Sequence, residues 1–236
     1  MALGREPSEL SFYTGYKFKD IALLETALTH SSYTNECRKS TPVKCNERLE
    51  FLGDAVLQIL VSDHLFSHFE NSAEGDLTKL RQHLVCENTL ATLAHKLSLG
   101  DFLILGKGEE QNGGREHQAI LADAFEALLA AIYLDDGHSM EFLRVFLLGL
   151  MKEELAACEK SRGGDYKTRL QQLVQQDGKE SLSYVVVSEE GPDHDKTFVV
   201  RVMLNSNTIG EGQGRSKQEA EQAAAREALA LFGENV

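Results

Sequence analysis

At 236 residues the chain has room for one large domain or two smaller ones, and 42% hydrophobic with 26% charged residues is ordinary for a globular protein. It holds no run of about 18 apolar residues that would suggest a transmembrane helix, and the start Met1-Ala2-Leu3-Gly4-Arg5-Glu6-Pro7 lacks the charged-then-apolar order of a secretion signal, so the cytoplasm is the expected compartment. The formal net charge of −13, about −4 after Gly164 and −9 before it, argues by itself against nucleic acid, because phosphate binding draws on a basic surface.

In chain order, the first group of polar residues is Thr29-His30-Ser31-Ser32-Tyr33, where His30 reads as a hydrogen-bonding structural residue rather than a metal ligand. Cys37, Cys45, Cys86 and Cys158 form no C-x-x-C pair and are read as reduced thiols. The segment Asn46-Glu47-Arg48-Leu49-Glu50-Phe51-Leu52-Gly53-Asp54 then sets three carboxylates among apolar residues. As a helix, its spacing of i, i+3 and i+7 puts Glu47, Glu50 and Asp54 on one face. Ala55 to Phe69 is apolar almost all round, which suits a helix at the centre of a bundle. Leu77 to Leu97 and Ala119 to Tyr133 carry helical periodicity, and Gly100, Gly106, Gly108 and Gly113-Gly114 punctuate the connections. Those glycines match no nucleotide-binding loop, so no nucleotide cofactor is expected, and Lys107 and Arg115 beside them read as parts of a solvated turn.

Asp123 and Glu126 repeat the i, i+3 pattern on the later helix. Charges in apolar helices are costly unless paired or bound to a metal. Two such clusters facing each other would form an oxygen-only site for hard divalent cations such as Mg2+. Two-metal phosphodiester hydrolysis uses one ion to activate water and another to stabilise the leaving 3′ oxygen. The spacing leaves a plainer alternative open: surface acids with arginine partners, as Arg48 beside Glu47 suggests. A di-iron bundle would ask for Glu-x-x-His, and neither segment has the histidine.

Residues 158–164 are polar, end in paired glycines and read as a flexible linker. Beyond them the pattern becomes helix, three strands, helix. The helix Asp165 to Gln175 carries an uncharged polar stripe, Thr168, Gln171, Gln172 and Gln175, suited to 2′-hydroxyls and base edges in the minor groove of A-form RNA. Strands are expected at Leu182–Ser188 and Thr197–Leu204, with a weak third near Thr208–Glu211. His194 sits in the loop between the first two. Ser216 and Glu219 have capping-box spacing at the last helix, whose face Ala220, Ala224, Ala228 and Phe232 is mostly small. Lys217, in its first turn, and Arg215 just before it are placed for phosphate.

Asn46 to Val56 resembles the ribonuclease III signature at nearly every position, and Thr29–Tyr33 resembles the family's upstream motif. Leu105–Glu110, Gly113-Gly114-Arg115, Ile120–Asp123 and Glu126–Leu128 resemble its second catalytic block. The C-terminal order, with its polar stripe, resembles a double-stranded RNA-binding domain. These resemblances imply an all-α endonuclease domain at 1–157, a linker at 158–164 and an α-β-β-β-α domain at 165–236 that binds double-stranded RNA. They imply that Glu50, Asp54, Asp123 and Glu126 hold Mg2+, with Mn2+ as a substitute, and that Glu47 is an auxiliary acid at the rim. They imply a homodimer in which Phe51 plugs into the partner. The implied activity is endonucleolytic cleavage of double-stranded RNA to 5′-phosphate and 3′-hydroxyl ends, in processing of ribosomal precursors and structured messengers. The third RNA-contact region departs from the family pattern, because Lys217 is followed by Gln218 and Glu219 where a basic cluster is usual. A non-catalytic RNA-binding dimer and an acidic interaction protein are the rival readings.

Overall fold

The structure, a computed structural model, describes residues 5–37, 43–70, 72–163, 166–175, 181–192 and 196–234; the side chains of 159–163, 172 and 175 are outside that description. The chain divides into two compact units, Met1–Leu155 and Ala156–Val236. No helix among the described residues is long and apolar enough to cross a membrane.

The first unit is helical. After a 3-10 turn at Pro7–Leu10 come α1 (Ser11–Thr14), α2 (Ile21–Leu28), α3 (Ser31–Cys37), α4 (Glu47–His68), α5 (Glu74–Leu84), α6 (Glu87–Lys96), α7 (Lys107–Gln111), α8 (Gln118–Asp135) and α9 (Glu141–Leu150); α10 (Lys152–Gly163) begins in this unit and continues past its end at Leu155. Asp20 caps α2 by accepting the Ala22 N–H at 3.0 Å. Leu77 to Leu97, continuous in its periodicity, is broken into α5 and α6 because Cys86 is extended (φ −73, ψ 153) and starts a new helix.

The helix buried nearly all round is α8 rather than α4. Ile120, Leu121, Ala122, Ala124, Phe125 and every residue from Ala127 to Ile132 are buried. Its alanines let α4, α2 and α6 approach closely, and Ala27, Leu49, Ala127, Ala130 and Ala131 form one cluster of that core. The expectation of a central α4 is corrected. One side of α4 packs inward through Leu49, Val56, Leu57, Leu60, Val61 and Leu65, while Phe51, Ala55, Ile59 and Phe66 line an exposed apolar stripe at spacings of four and seven. A hydrophobic helix need not be covered by its own chain. Of the stretch expected to be a linker, 158–164, the described part is helical, since α10 continues through Gly163. Its Glu, Lys, Leu and Ala residues are good helix formers that outweigh the polar character of the stretch.

In the second unit, α11 (Tyr166–Gln175) and α12 (Lys217–Leu231) accompany an antiparallel sheet, β1 (Leu182–Glu190), β2 (Thr197–Leu204) and β3 (Asn207–Gly214), in the order β1-β2-β3. Leu170, Val174, Val202, Ala224, Ala225, Ala228 and Leu229 make its core. The third strand is longer than its weak signal suggested, and its glycines explain both facts. A Cβ on Gly210 would lie 2.5 Å from the Ala224 carbonyl oxygen, and one on Gly212 would lie 2.1 Å from the Ala224 nitrogen. A Cβ on Gly214 would lie 2.6 Å from the Ala220 nitrogen. Alternate glycines on β3 thus meet alanines every four residues on α12, so helix and sheet pack backbone to backbone. The capping box closes one residue early: Ser216 Oγ accepts the Glu219 N–H at 3.1 Å, and Glu219 Oε2 accepts the N–H of Arg215 at 2.8 Å.

Candidate active site

Gly53 sets the geometry of the site. A Cβ there would stand 1.9 Å from the carbonyl oxygen of Glu126, so α4 and α8 touch through their backbones. That contact carries Glu50 and Asp54 on α4 to the same place as Asp123 and Glu126 on α8. Burial first, and then the negative charges of Asp54, Glu50 and Asp123, push the Glu126 carboxyl from 4.5 up to about 8. Glu50 is raised by burial, by Asp123 and by Glu47. Burial also raises Asp123, with Glu87 adding to the effect and the His30 and His117 rings opposing it. Asp54 is exposed and accepts a hydrogen bond from Gln58 Nε2 at 3.2 Å, and Glu47 is exposed beside Glu50. All five acids singled out in the sequence therefore interact as one cluster.

The surface-acid alternative loses its partner. Among the described residues, no lysine or arginine, Arg48 included, is paired with any of the five. Among the described residues no lysine or arginine compensates this cluster of like charge, which fits a hard divalent cation bound through oxygen. No group of three or more His, Cys, Asp or Glu among the described residues stands ready to enclose an ion. Mg2+ keeps several of its own waters and takes only one or two carboxylates directly.

The segment leading into α8 is clamped by residues that periodicity does not reveal. Gly106 N–H donates to Ser32 Oγ at 2.9 Å and Gly108 N–H to Glu36 Oε1 at 3.3 Å. The backbone N–H groups of Lys107 and Gly108 hold the Glu36 carboxyl below its ordinary value. A Cβ on Gly106 would lie 2.7 Å from both Glu36 Oε1 and Ser32 O, so only glycine fits. Arg115 is a strut rather than part of a solvated turn: Nε donates to Glu110 Oε1 at 2.7 Å, and one terminal nitrogen donates to the carbonyls of Gly100 (2.8 Å) and Leu103 (2.9 Å). Lys107 is exposed. The only signal for this clamp in the sequence is glycine placed among good helix formers and polar residues, which turns share.

Phe51 is 81% exposed, so it is not a core residue of its own protomer. In the second unit Gln171, Arg215 and Lys217 are exposed and Thr168 is half-buried. Lys217 Nζ lies 5.7 Å from the centre of the Phe198 ring. The side chains of Gln172 and Gln175, and His194 altogether, lie outside the described residues.

Residues 20–149 match the family model described as ribonuclease-III-like, and residues 166–231 match that of the double-stranded RNA binding motif. The chain is 50% identical over 215 residues to the ribonuclease 3 of Bacillus velezensis, covering 90% of this chain and 84% of that one. It is 49% identical over 222 residues to the ribonuclease 3 of Bacillus cereus, covering 94% and 89%. Among solved structures it resembles the nuclease domain of the Campylobacter jejuni ribonuclease III, described for flexibility in a region involved in dimer formation. That match has a TM-score of 0.57 and 44% identity over 63% of this chain and 98% of that one. With a carboxylate cluster on two touching helices and an α-β-β-β-α unit later in the sequence, the chain belongs to the ribonuclease III family of endoribonucleases that act on double-stranded RNA.

Proposed function

We propose that this protein is a homodimeric, Mg2+-dependent endonuclease that cuts both strands of double-stranded RNA to 5′-phosphate and 3′-hydroxyl ends, processing ribosomal precursors and structured messengers in the cytoplasm. The observation that carries the reading is the convergence of Glu50, Asp54, Asp123 and Glu126 at the Gly53 contact, with the Glu126 carboxyl pushed to about 8 and, among the described residues, no lysine or arginine paired to it. These four would hold the ions, and Glu47 would stand at the rim. When bound, the ions would polarise the scissile phosphate, activate a water and stabilise the leaving 3′ oxygen. The family is generally metal-dependent; Mg2+, with Mn2+ as a substitute, is the choice argued from the all-oxygen donor set.

At neutral pH without metal, the Glu126 carboxyl, pushed to about 8, keeps its proton; it would give that proton up to hold a cation together with Glu50, Asp54 and Asp123. Rigid helices supply the positioning that phosphodiester hydrolysis demands. The exposed stripe of Phe51, Ile59 and Phe66 (81%, 51% and 72%) supports burial against a second copy, which brings two sites to one duplex. In the domain arrangement proposed, residues 1–157 cut and 165–236 hold the RNA through Thr168, Gln171, Gln172, Gln175, His194, Arg215 and Lys217.

The test is incubation of purified protein with an end-labelled RNA duplex in Mg2+ or in EDTA. The expected result is duplex fragments with 5′-phosphates in Mg2+ only. Binding without cleavage by folded, dimeric protein would replace this reading with that of a non-catalytic RNA-binding scaffold.

A further inference from the structure

The helix α11 carries two cations, Lys167 and Arg169, and both are engaged within the second unit. Lys167 Nζ pairs with Glu221 Oε2 of α12 at 2.6 Å and lies 4.7 Å from the centre of the Tyr184 ring on β1. The Lys167 backbone N–H is a first-turn donor, of the kind a helix leaves without an internal partner, and it donates to Gln222 Oε1 of α12 at 3.0 Å. Arg169 pairs with Glu234 Oε2 at 2.9 Å, just past the end of α12. The Arg226 guanidinium of α12 lies 5.7 Å from the centre of the Tyr166 ring. Helical geometry gives these contacts a common result. At about 100° per residue, Leu170, Leu173 and Val174 form the face of α11 that packs inward, and Lys167 and Arg169 fall on its opposite borders. Thr168 and Gln171 lie beyond the Lys167 border, on the uncharged stripe. Apolar burial is non-directional, so by itself it sets the roll of a helix about its axis only loosely. An ion pair on each border fixes that roll. The Lys167–Glu221 pair is partly covered, at 38% and 26% exposed, so salt screens it less than a pair on open surface.

We infer that Lys167 is a positioning residue for duplex recognition: clasped by Glu221, Tyr184 and Gln222, it fixes the roll of α11 that presents Thr168 and Gln171 to the minor groove, and it neutralises no phosphate. This rests on the reading of residues 165–236 as the unit that holds RNA. A lysine next to the stripe in sequence would by position alone be assigned to the RNA backbone; its charge is instead answered inside the protein. Loosening the clasp lowers the fraction of molecules whose α11 is correctly rolled, and the apparent affinity falls with that fraction.

The experiment is fluorescence anisotropy of a labelled RNA duplex with the full-length protein in EDTA, across a series of salt concentrations. It compares wild type, Lys167→Met, Glu221→Gln and the charge swap Lys167→Glu with Glu221→Lys, and thermal midpoints are measured in parallel. Lys167→Met should weaken binding about fivefold, the scale of one partly exposed ion pair with a cation–π contact. Glu221→Gln should weaken it about threefold. Neither should alter the salt dependence, and the charge swap should recover part of the affinity. A phosphate contact behaves in the opposite way. Lys167→Met would then flatten the slope of log affinity against log salt by about 0.9, and the swap would bind worse than Lys167→Met. Glu221→Gln, which removes a negative charge near the duplex, would bind as well as wild type or more tightly. Any of these three results would overturn the proposal. So would a lower thermal midpoint with affinity intact, which would leave Lys167 a role in stability alone. Glu221→Gln keeps the lysine and its stem over Tyr184, so the test stands if Lys167→Met does not fold. Failure of the wild type to bind the duplex is a different result: it would overturn the RNA-binding reading itself, and this inference with it.

Discussion

Glu126→Gln replaces the most perturbed carboxyl by a neutral group of the same shape, and its consequence for stability can be worked from the structure. In the folded protein Glu126 gives up its proton at about 8, against an ordinary value of 4.5. Between these values the folded state keeps a proton that the unfolded chain has lost. Stability is therefore fully present below pH 4.5, falls as pH rises, and is lost by the time pH has passed about 8. At about 1.4 kcal/mol per pH unit the limit is about 5 kcal/mol. Glu126 is only partly buried, and solvent screening brings the expected effect to about 2 kcal/mol. The assay is thermal unfolding in EDTA at pH 5, 7 and 9. Wild type and variant should melt together at pH 5, and the variant should melt several degrees higher at pH 9, at about 2–4 °C per kcal/mol. Mg2+ at pH 9 should stabilise the wild type by mass action and the variant less. Cleavage should be abolished while RNA binding is spared. A difference between the two proteins that does not change with pH, or a variant less stable at pH 9, would refute the reasoning.

Gly53→Ala puts a methyl 1.9 Å from the Glu126 carbonyl, so α4 and α8 must part by more than about 1 Å. Stability should fall by about 1–3 kcal/mol and cleavage by about 100-fold; a normal rate in the folded variant would show that the helix contact does not set the site. Phe51→Ala should leave the protomer's own unfolding within about 0.5 kcal/mol yet weaken the dimer by about 2 kcal/mol, and an unchanged sedimentation profile would remove Phe51 from the interface. Gly212→Ala should destabilise the second unit by about 1–3 kcal/mol because the new Cβ meets the Ala224 nitrogen, and filter binding should show weaker retention of duplex RNA. Unaltered melting of that unit would refute the backbone packing of β3 on α12.

The sequence by itself determined the helical first unit and the α-β-β-β-α second one, because the period changes from helical to alternating and back. It also singled out acids that the fold brings together. Glu50, Asp54, Asp123 and Glu126 were legible because carboxylates at helical spacing among apolar residues carry a cost that calls for a reason. Periodicity says which residues share a face of one helix, but not which helix is covered by its own chain. Thus α4 looked central, whereas the fold gives that place to α8 and leaves Phe51, Ile59 and Phe66 exposed. The weak third strand is a similar case: glycine lowers strand propensity, and only the approach of α12 shows why Gly210, Gly212 and Gly214 stand there. The polar tract at 158–164 read as a linker because composition cannot separate a polar helix from a coil, and its described part is helical through Gly163. Tertiary structure alone decided that Gly53 meets Glu126, that Arg115 braces the Gly100 and Leu103 carbonyls, and that Ser32 bridges His30 and Gly106. Each joins segments far apart in the chain, and such distances are set by packing, to which local spacing is blind.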